Sequence, residues 1–183
     1  MRFPPLRSLA LAALLASVGG AALADCSDVA QPGVQWRRCV LDGQDLREAS
    51  LTGANLRDAS FKRADLSNAD LTEADGRRTK FISANMKDTV LDRANLVRAD
   101  FTNADMVGAS LKNADLTSAK MFRTDLTGAD LTGARLNSTD LLHAVLDNAI
   151  WVDGVTICAE GSIGQCHPGR KRPDEVSEAE PRS

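Results

Sequence analysis

From residue 41 to residue 151 a bulky apolar side chain returns at every fifth position without an insertion or deletion. The series runs through Leu41, Leu46, Leu51 and Leu56, continues through Phe61, Phe81, Met86, Phe101 and Met106, and closes on Leu146 and Trp151. Of its 23 centres only Gly76 breaks the class. Two residues before each centre stands Ala in 17 of the 23 units; Thr79, Thr89, Thr124, Thr139, Cys39 and Gln44 are the remainder. The other three positions of each unit are Asp, Asn, Ser, Thr, Lys, Arg and Gly for the most part. Val34 and Trp36 occupy the same two phases one unit earlier, which makes 24 units from Trp36 to Trp151.

A period of five fits neither a helix at 3.6 residues per turn nor a strand at 2.0. It fits a unit that makes one short side and then turns, with the small residue and the bulky centre both facing inward. Four such sides close a square coil of twenty residues. Residues twenty apart then stack in columns, and Phe61, Phe81 and Phe101 fall in one column, as do Met86 and Met106. Flat rings stack well on one another, which supplies a physical reason for the coincidence.

The unit A-(D/N)-L-x-x, as in Ala64-Asp65-Leu66-Ser67-Asn68 and Ala129-Asp130-Leu131-Thr132-Gly133, resembles the pentapeptide repeat family. The resemblance implies an all-β fold, a right-handed quadrilateral β-helix with backbone pairing between coils, here about six coils capped at both ends. Each coil of such a solenoid touches only its neighbours, so the open ends are its weak points.

The first 24 residues read as a secretory signal. Arg2 and Arg7 form the basic start, residues 9–18 the apolar run, and Ala22-Leu23-Ala24 the small-x-small cleavage site. The run is too short to span a bilayer, so no transmembrane segment is expected after its removal. Asp25 in front of Cys26 argues against a lipoprotein signal. The expected organisation is a signal at 1–24, an N-terminal cap at 25–33 with a turn at Pro32-Gly33, the repeat at 34–153, a cap loop at 154–167, and a disordered tail at 168–183 rich in Pro, Glu, Arg, Lys and Ser. Localisation is expected to be periplasmic or secreted.

Four cysteines fall as two pairs, Cys26 with Cys39 and Cys158 with Cys166, one pair at each end of the repeat. An even count in an exported chain reads as disulfides. Ends separated by about six strand spacings, roughly 30 Å, cannot be bridged, which leaves the two local pairings. The alternative, a metal site of Cys158, Cys166 and His167, lacks tight ligand spacing.

Removal of Arg2 and Arg7 turns the net charge of −3 into −5, a mild acidity that opposes nucleic-acid binding. No catalytic constellation is visible: His143 and His167 have no nucleophile assigned to them, and the aspartates recur because the repeat recurs. No cofactor or metal is expected. Two outward features stand out. Gly76 in a core column, followed by Arg77, Arg78 and Lys80 and joined in the twenty-residue frame by Arg57, Lys62, Arg63 and Arg98, reads either as a dent with a basic rim for an acidic partner or as a decayed repeat whose neighbours fill the void. Ile82, Thr102, Phe122 and Leu142 stack one residue past the Phe column as an apolar stripe. With Val145, Ile150 and Val152 near the C-terminal end, this stripe reads as a partner surface or a homodimer contact, or as ground covered by the cap and tail.

The functional expectation is a non-enzymatic exported scaffold that presents a rigid surface to a protein or envelope component. The alternative, implied by resemblance alone, is a DNA-mimicking protector or inhibitor of type II topoisomerases. The signal, and a repeat holding 18 acidic against 14 basic residues between 41 and 153, speak against it. A carbohydrate-binding rod is disfavoured by the scarcity of exposed aromatic residues.

Overall fold

The structure, a computed structural model, describes residues 26–172. The signal at 1–24 and the tail from 173 onward lie outside the described residues. Over the repeat the chain winds as a four-sided β-helix. The residue before each centre forms a parallel bridge to the residue twenty positions on, from Gln35↔Asn55 through to Asp130↔Ile150. Three ladder bonds per side hold coil to coil, as in Leu41 N to Ser60 O at 2.7 Å, Ser60 N to Cys39 O at 2.8 Å and Gly43 N to Lys62 O at 2.9 Å. Every side therefore lends backbone groups to both neighbours, which satisfies the main chain without a long strand.

The corners explain why five residues suffice. The amide two residues before a centre bonds back to the preceding centre's carbonyl, as in Ala64 N to Phe61 O at 3.1 Å. The residue two past the centre lies in the left-handed region at every corner from Arg38 to Asn148, and this reverses the chain within four residues. Arg63 at φ 57° and Asn68 at φ 59° are typical. A non-glycine residue there costs on the order of 1 kcal/mol, offset at each corner by three ladder bonds.

The inward residues are buried throughout the middle coils, with Phe61, Phe81 and Phe101 at 0% exposure. Their rings stack as the twenty-residue frame requires, with centroids 5.4 Å apart and 14° between planes for the first pair, and 5.1 Å and 10° for the second. Trp36 leans on Phe61 at 6.3 Å. Near the ends Leu46, Leu136, Leu141 and Trp151 are only partly buried, as expected of terminal coils.

Two sequence exceptions acquire reasons. Thr79, Thr89, Thr124 and Thr139 replace the small Ala, and each hydroxyl donates to a centre carbonyl of the preceding coil: Thr79 to Leu56 O at 2.7 Å, and the others, to Leu66, Phe101 and Leu116, at 2.8 Å. Thr79→Val keeps the shape and removes the bond, so it is expected to lower the unfolding free energy by about 1 kcal/mol, read from urea denaturation. The recurrent aspartates are also structural. Asp65 Oδ1 accepts the Ser67 amide at 3.0 Å and its hydroxyl at 2.7 Å, and Asp130 Oδ1 accepts the Thr132 amide at 3.0 Å and its hydroxyl at 2.5 Å. These Asx turns hold the amide that the ladder leaves free.

Both cysteine pairs lie at bonding distance, Cys26–Cys39 and Cys158–Cys166, with Cα separations of 5.4 and 5.1 Å. The first ties the entering chain to the corner after Trp36. The second closes a loop that folds over the last coil: Val145 and Ile150 bridge antiparallel to Ile163 and Ile157, and Leu146 N bonds Ser162 O at 2.8 Å. β1 is Thr156–Cys158 and β2 is Pro168–Lys171, paired antiparallel.

β2 corrects the expectation of a disordered tail from residue 168. Composition argues from side-chain burial, whereas β1 offers unpaired backbone to any extended chain that reaches it. Gly169 makes the approach possible, since a β-carbon there would stand 3.0 Å from the backbone of Ala159. Ala159 N to His167 O at 2.7 Å and Arg172 N to Val155 O at 2.9 Å bracket the pair.

Candidate interaction surface

With the core and ladders occupied, only outward side chains are available for binding. The four sides are numbered in chain order: side one carries the centres Trp36, Leu56, Gly76 and Leu96; side two Leu41, Phe61, Phe81 and Phe101; side three Leu46, Leu66, Met86 and Met106; side four Leu51, Leu71, Leu91 and Leu111. Residues 34–153 hold sixteen Lys and Arg and eighteen Asp and Glu. Twelve of the sixteen cations lie on sides one and two, and twelve of the eighteen acids on sides three and four. The rod is therefore electrically two-sided, although its overall charge is mild.

Ion pairing sharpens the division. Every Lys and Arg on sides three and four has a carboxylate: Arg47 with Asp45, Lys87 with Asp105, Arg93 with Glu73 and Lys112 with Asp130. On sides one and two, Arg77 binds Asp75, Arg78 binds Asp58 and Arg135 reaches Asp115 at 3.4 Å. Arg37, Arg38, Lys62, Arg63, Lys80 and Arg98 carry no ion pair among the described residues, and neither do Lys120 and Arg123.

On side one a shallow depression of about 260 Å³ is lined by Arg57, Arg77, Arg78 and Arg98 together with Val97, Thr117 and Ser118. Sequence reasoning placed Arg77, Arg78, Lys80 and Arg98 around a dent at Gly76. The structure brings Arg77, Arg78 and Arg98 together with Arg57; Lys80, Lys62 and Arg63 lie on side two and do not line the depression. Nor is the depression the void of the missing side chain. Gly76 is buried, and a β-carbon on it would stand 2.9 Å from Leu96 Cδ2, so Leu96 of the next coil takes up the space. The contributions of Val97, Thr117 and Ser118 were not foreseen; they follow from counting twenty and forty residues on from Arg77 and Arg78.

The apolar stripe is present on side two. Ile82 and Phe122 are half-buried and Leu142 is 57% exposed. Phe122 is flanked by its own neighbours, with the His143 ring edge-on at 5.6 Å and the Arg123 guanidinium 4.9 Å over its face. Val145, Ile150 and Val152 do not extend this stripe as a free surface: Val145 and Ile150 bridge to the cap loop, and Val152 packs on the core. The cap follows sides three and four because the chain leaves the coil there.

The acidic sides carry carboxylates whose protons are held off. Hydrogen bonds from Ser67, against a smaller opposing effect of burial, keep Asp65 below the ordinary value of 3.8, and those from Thr156 do the same for Asp153. A carboxylate with a lowered folded value contributes stability above the unfolded value and loses it as pH falls through the folded one. Unfolding free energy is therefore expected to hold steady from pH 8 to 5 and to decline below about pH 4, followed by urea denaturation across a pH series. A flat profile down to pH 2 would contradict this.

Among the described residues no group of three or more His, Cys, Asp or Glu is placed to hold a metal ion, and no helix is long and apolar enough to cross a membrane.

Pentapeptide repeats match the chain in eight copies, over residues 33–63, 59–96, 94–133 and 124–150. Among solved structures the chain is similar to HetL, a pentapeptide repeat protein involved in heterocyst differentiation regulation from the cyanobacterium Nostoc, at 29% identity over 69% of this chain and 72% of that one, with a TM-score of 0.41. It is similar to a trypsin-treated form of QnrB1, a plasmid-mediated fluoroquinolone resistance protein, at 17% identity over 64% of this chain and 63% of that one, TM-score 0.41. A pentapeptide repeat protein from the Arabidopsis thaliana thylakoid lumen matches at 17% identity over 72% of this chain and 86% of that one, TM-score 0.39. No curated protein matches the chain. The matched repeats cover most of the molecule, and the chain belongs to the pentapeptide repeat family, whose fold is the right-handed quadrilateral β-helix.

Proposed function

We propose that the protein is an exported, non-enzymatic scaffold: a rod of about six coils, capped at both ends, that presents its outward sides to a protein or envelope component in the periplasm or outside the cell. The observation that carries this is the placement of a cysteine pair at each end of the repeat, at bonding distance and where an open solenoid most needs closure. Such bonds persist in oxidising compartments, which agrees with the secretory signal read at residues 1–24. The side chains that carry the fold face inward, so binding falls to the outward ones.

The reading as a DNA-mimicking partner of type II topoisomerases asks for an acidic surface in the cytosol. The cations of sides one and two oppose it. Cell fractionation with intact mass measurement tests the choice. The scaffold reading expects a chain beginning at Asp25 with all four cysteines oxidised in the exported fraction, and no protection of topoisomerase in a supercoiling assay. A cytosolic chain that retains residues 1–24 and reduced thiols would overturn it.

A further inference from the structure

The depression on side one has more positive charge than its own carboxylates neutralise. Its four guanidiniums, on Arg57, Arg77, Arg78 and Arg98, face two acids, Asp58 and Asp75. Asp58 is taken by Arg78, with Nε to Oδ1 at 2.6 Å and Nη2 to Oδ2 at 2.8 Å. Asp75 is taken by Arg77 in the same two-pronged way, at 2.8 and 2.6 Å. Arg57 is left with a contact to Asp75 Oδ2 at 3.9 Å, and its Nε is buried without a hydrogen-bond acceptor. Arg98, two coils along, has no ion pair among the described residues. Two positive charges thus remain open in one recess. A buried guanidinium nitrogen without an acceptor, and a second guanidinium without a carboxylate in the lining of the same depression, are donors that an anion could engage.

The geometry points to a binding site for a phosphate group in the depression, with Arg57 and Arg98 as its charge partners and Arg77 and Arg78, fixed by their aspartates, as its walls. The charge selects the ligand class. A phosphate carrying about −1.5 to −2 balances the two open cations, whereas a carboxylate would leave one uncompensated. The number of acceptors selects it as well. Guanidiniums arriving from different coils approach from different directions, and a phosphate has an oxygen for each, while a carboxylate presents two oxygens on one edge. The excess of cations on sides one and two would draw such an anion toward the site. This deepens the scaffold reading and rests on it only for the premise that the outward surface is what the protein uses.

The test is calorimetric titration of inorganic phosphate into the purified chain with both disulfides formed, at pH 7.5 and constant ionic strength set with sodium chloride. Saturable one-to-one binding is expected, weakened at least about tenfold in the double variant Arg57→Gln/Arg98→Gln. Arg63→Gln/Arg123→Gln removes the same charge from the corner between sides two and three and is expected to leave affinity within about twofold. Circular dichroism and the urea midpoint confirm that both variants fold. Cosedimentation with vesicles containing phosphatidic acid, whose headgroup is a phosphate monoester, against phosphatidylcholine vesicles, separates the sources. Binding displaced by free phosphate assigns a lipid headgroup, and phosphate binding without vesicle binding assigns a soluble or polymer-borne phosphate. No saturable binding, or equal weakening in the two double variants, would overturn the site. That failure is distinct from failure of the scaffold reading, because a partner crosslinked in the native compartment would persist in Arg57→Gln/Arg98→Gln.

Discussion

Phe81→Ala is expected to lower the unfolding free energy by about 3–5 kcal/mol, toward the upper part of the range for a large core side chain. Phe81 is fully buried and sandwiched between Phe61 at 5.4 Å and Phe101 at 5.1 Å. The cost of such a truncation depends on how far the surroundings collapse into the cavity. Here they are held apart, because the ladders fix the spacing of successive coils at the strand distance of about 4.8 Å. Phe61 and Phe101 cannot close on one another without breaking main-chain bonds such as Phe61 N to Lys80 O and Phe81 N to Asp100 O. Urea denaturation of the oxidised chain measures the effect, and a loss under about 1 kcal/mol would show that the ring is not enclosed in this column.

The second large effect is expected from the C-terminal cap. The double variant Cys158→Ser/Cys166→Ser should cost about 2–4 kcal/mol. The bond does more than shorten a loop in the unfolded chain. It holds the segment that pairs the last coil: Leu146 N with Ser162 O at 2.8 Å, Asn148 N with Cys158 O at 3.0 Å and Trp151 N with Thr156 O at 2.8 Å. Cys158 and Ser162 are themselves buried. A solenoid frays from its ends because a terminal coil has one neighbour instead of two. The loss should therefore be local, with amides of Leu146, Asn148 and Trp151 losing hydrogen-exchange protection first while those around Phe81 keep theirs. Uniform loss of protection along the rod would contradict a nearest-neighbour account.

The inward half of this molecule was legible because its pattern is steric and strictly periodic. Ala at one position and Leu, Phe or Met two residues later define a five-residue side, and the alignment of Phe61, Phe81 and Phe101 pointed to four sides, in agreement with the stacking of their rings. The polar half was less legible, since its logic is hydrogen bonding between positions that a hydrophobic pattern ignores. The Thr79 hydroxyl on Leu56 O spans 23 residues, and the pairing of Asp65 with Ser67 is concealed in a unit that reads as solvated carboxylate and neutral filler. A recurrence of Ser or Thr two residues after Asp was the available signal.

Where expectation and structure part, the cause is local compensation. Gly76 left two readings open, a dent or a decayed repeat filled by its neighbours, and Leu96 entering the space agrees with the second. The polar composition after residue 167 suggested disorder, and the open edge of β1 recruits residues 168–171 through backbone bonds that composition does not register. The basic cluster was foreseen around one glycine, but it belongs to a division of charge between two pairs of sides that becomes visible only when the chain is wound in twenties. The disulfide pairs at the two ends agree with the pairing that end-to-end distance dictated. The apolar stripe ending at Leu142 keeps its exposed terminus, so a self-association surface near the C-terminal end stands as a reading for outward residues alone.

The central claim is that this rod works through its outward sides, and through the basic pair in particular. Site-specific photocrosslinking in the native compartment tests it most directly, with a benzophenone side chain placed in turn at Arg63, Arg98 and Leu142 on sides one and two and at Asp88, Asn113 and Gly128 on sides three and four. The account predicts that adducts form from the first set and not from the second. Adducts confined to the acidic sides, or none from either set in the exported fraction, would contradict it.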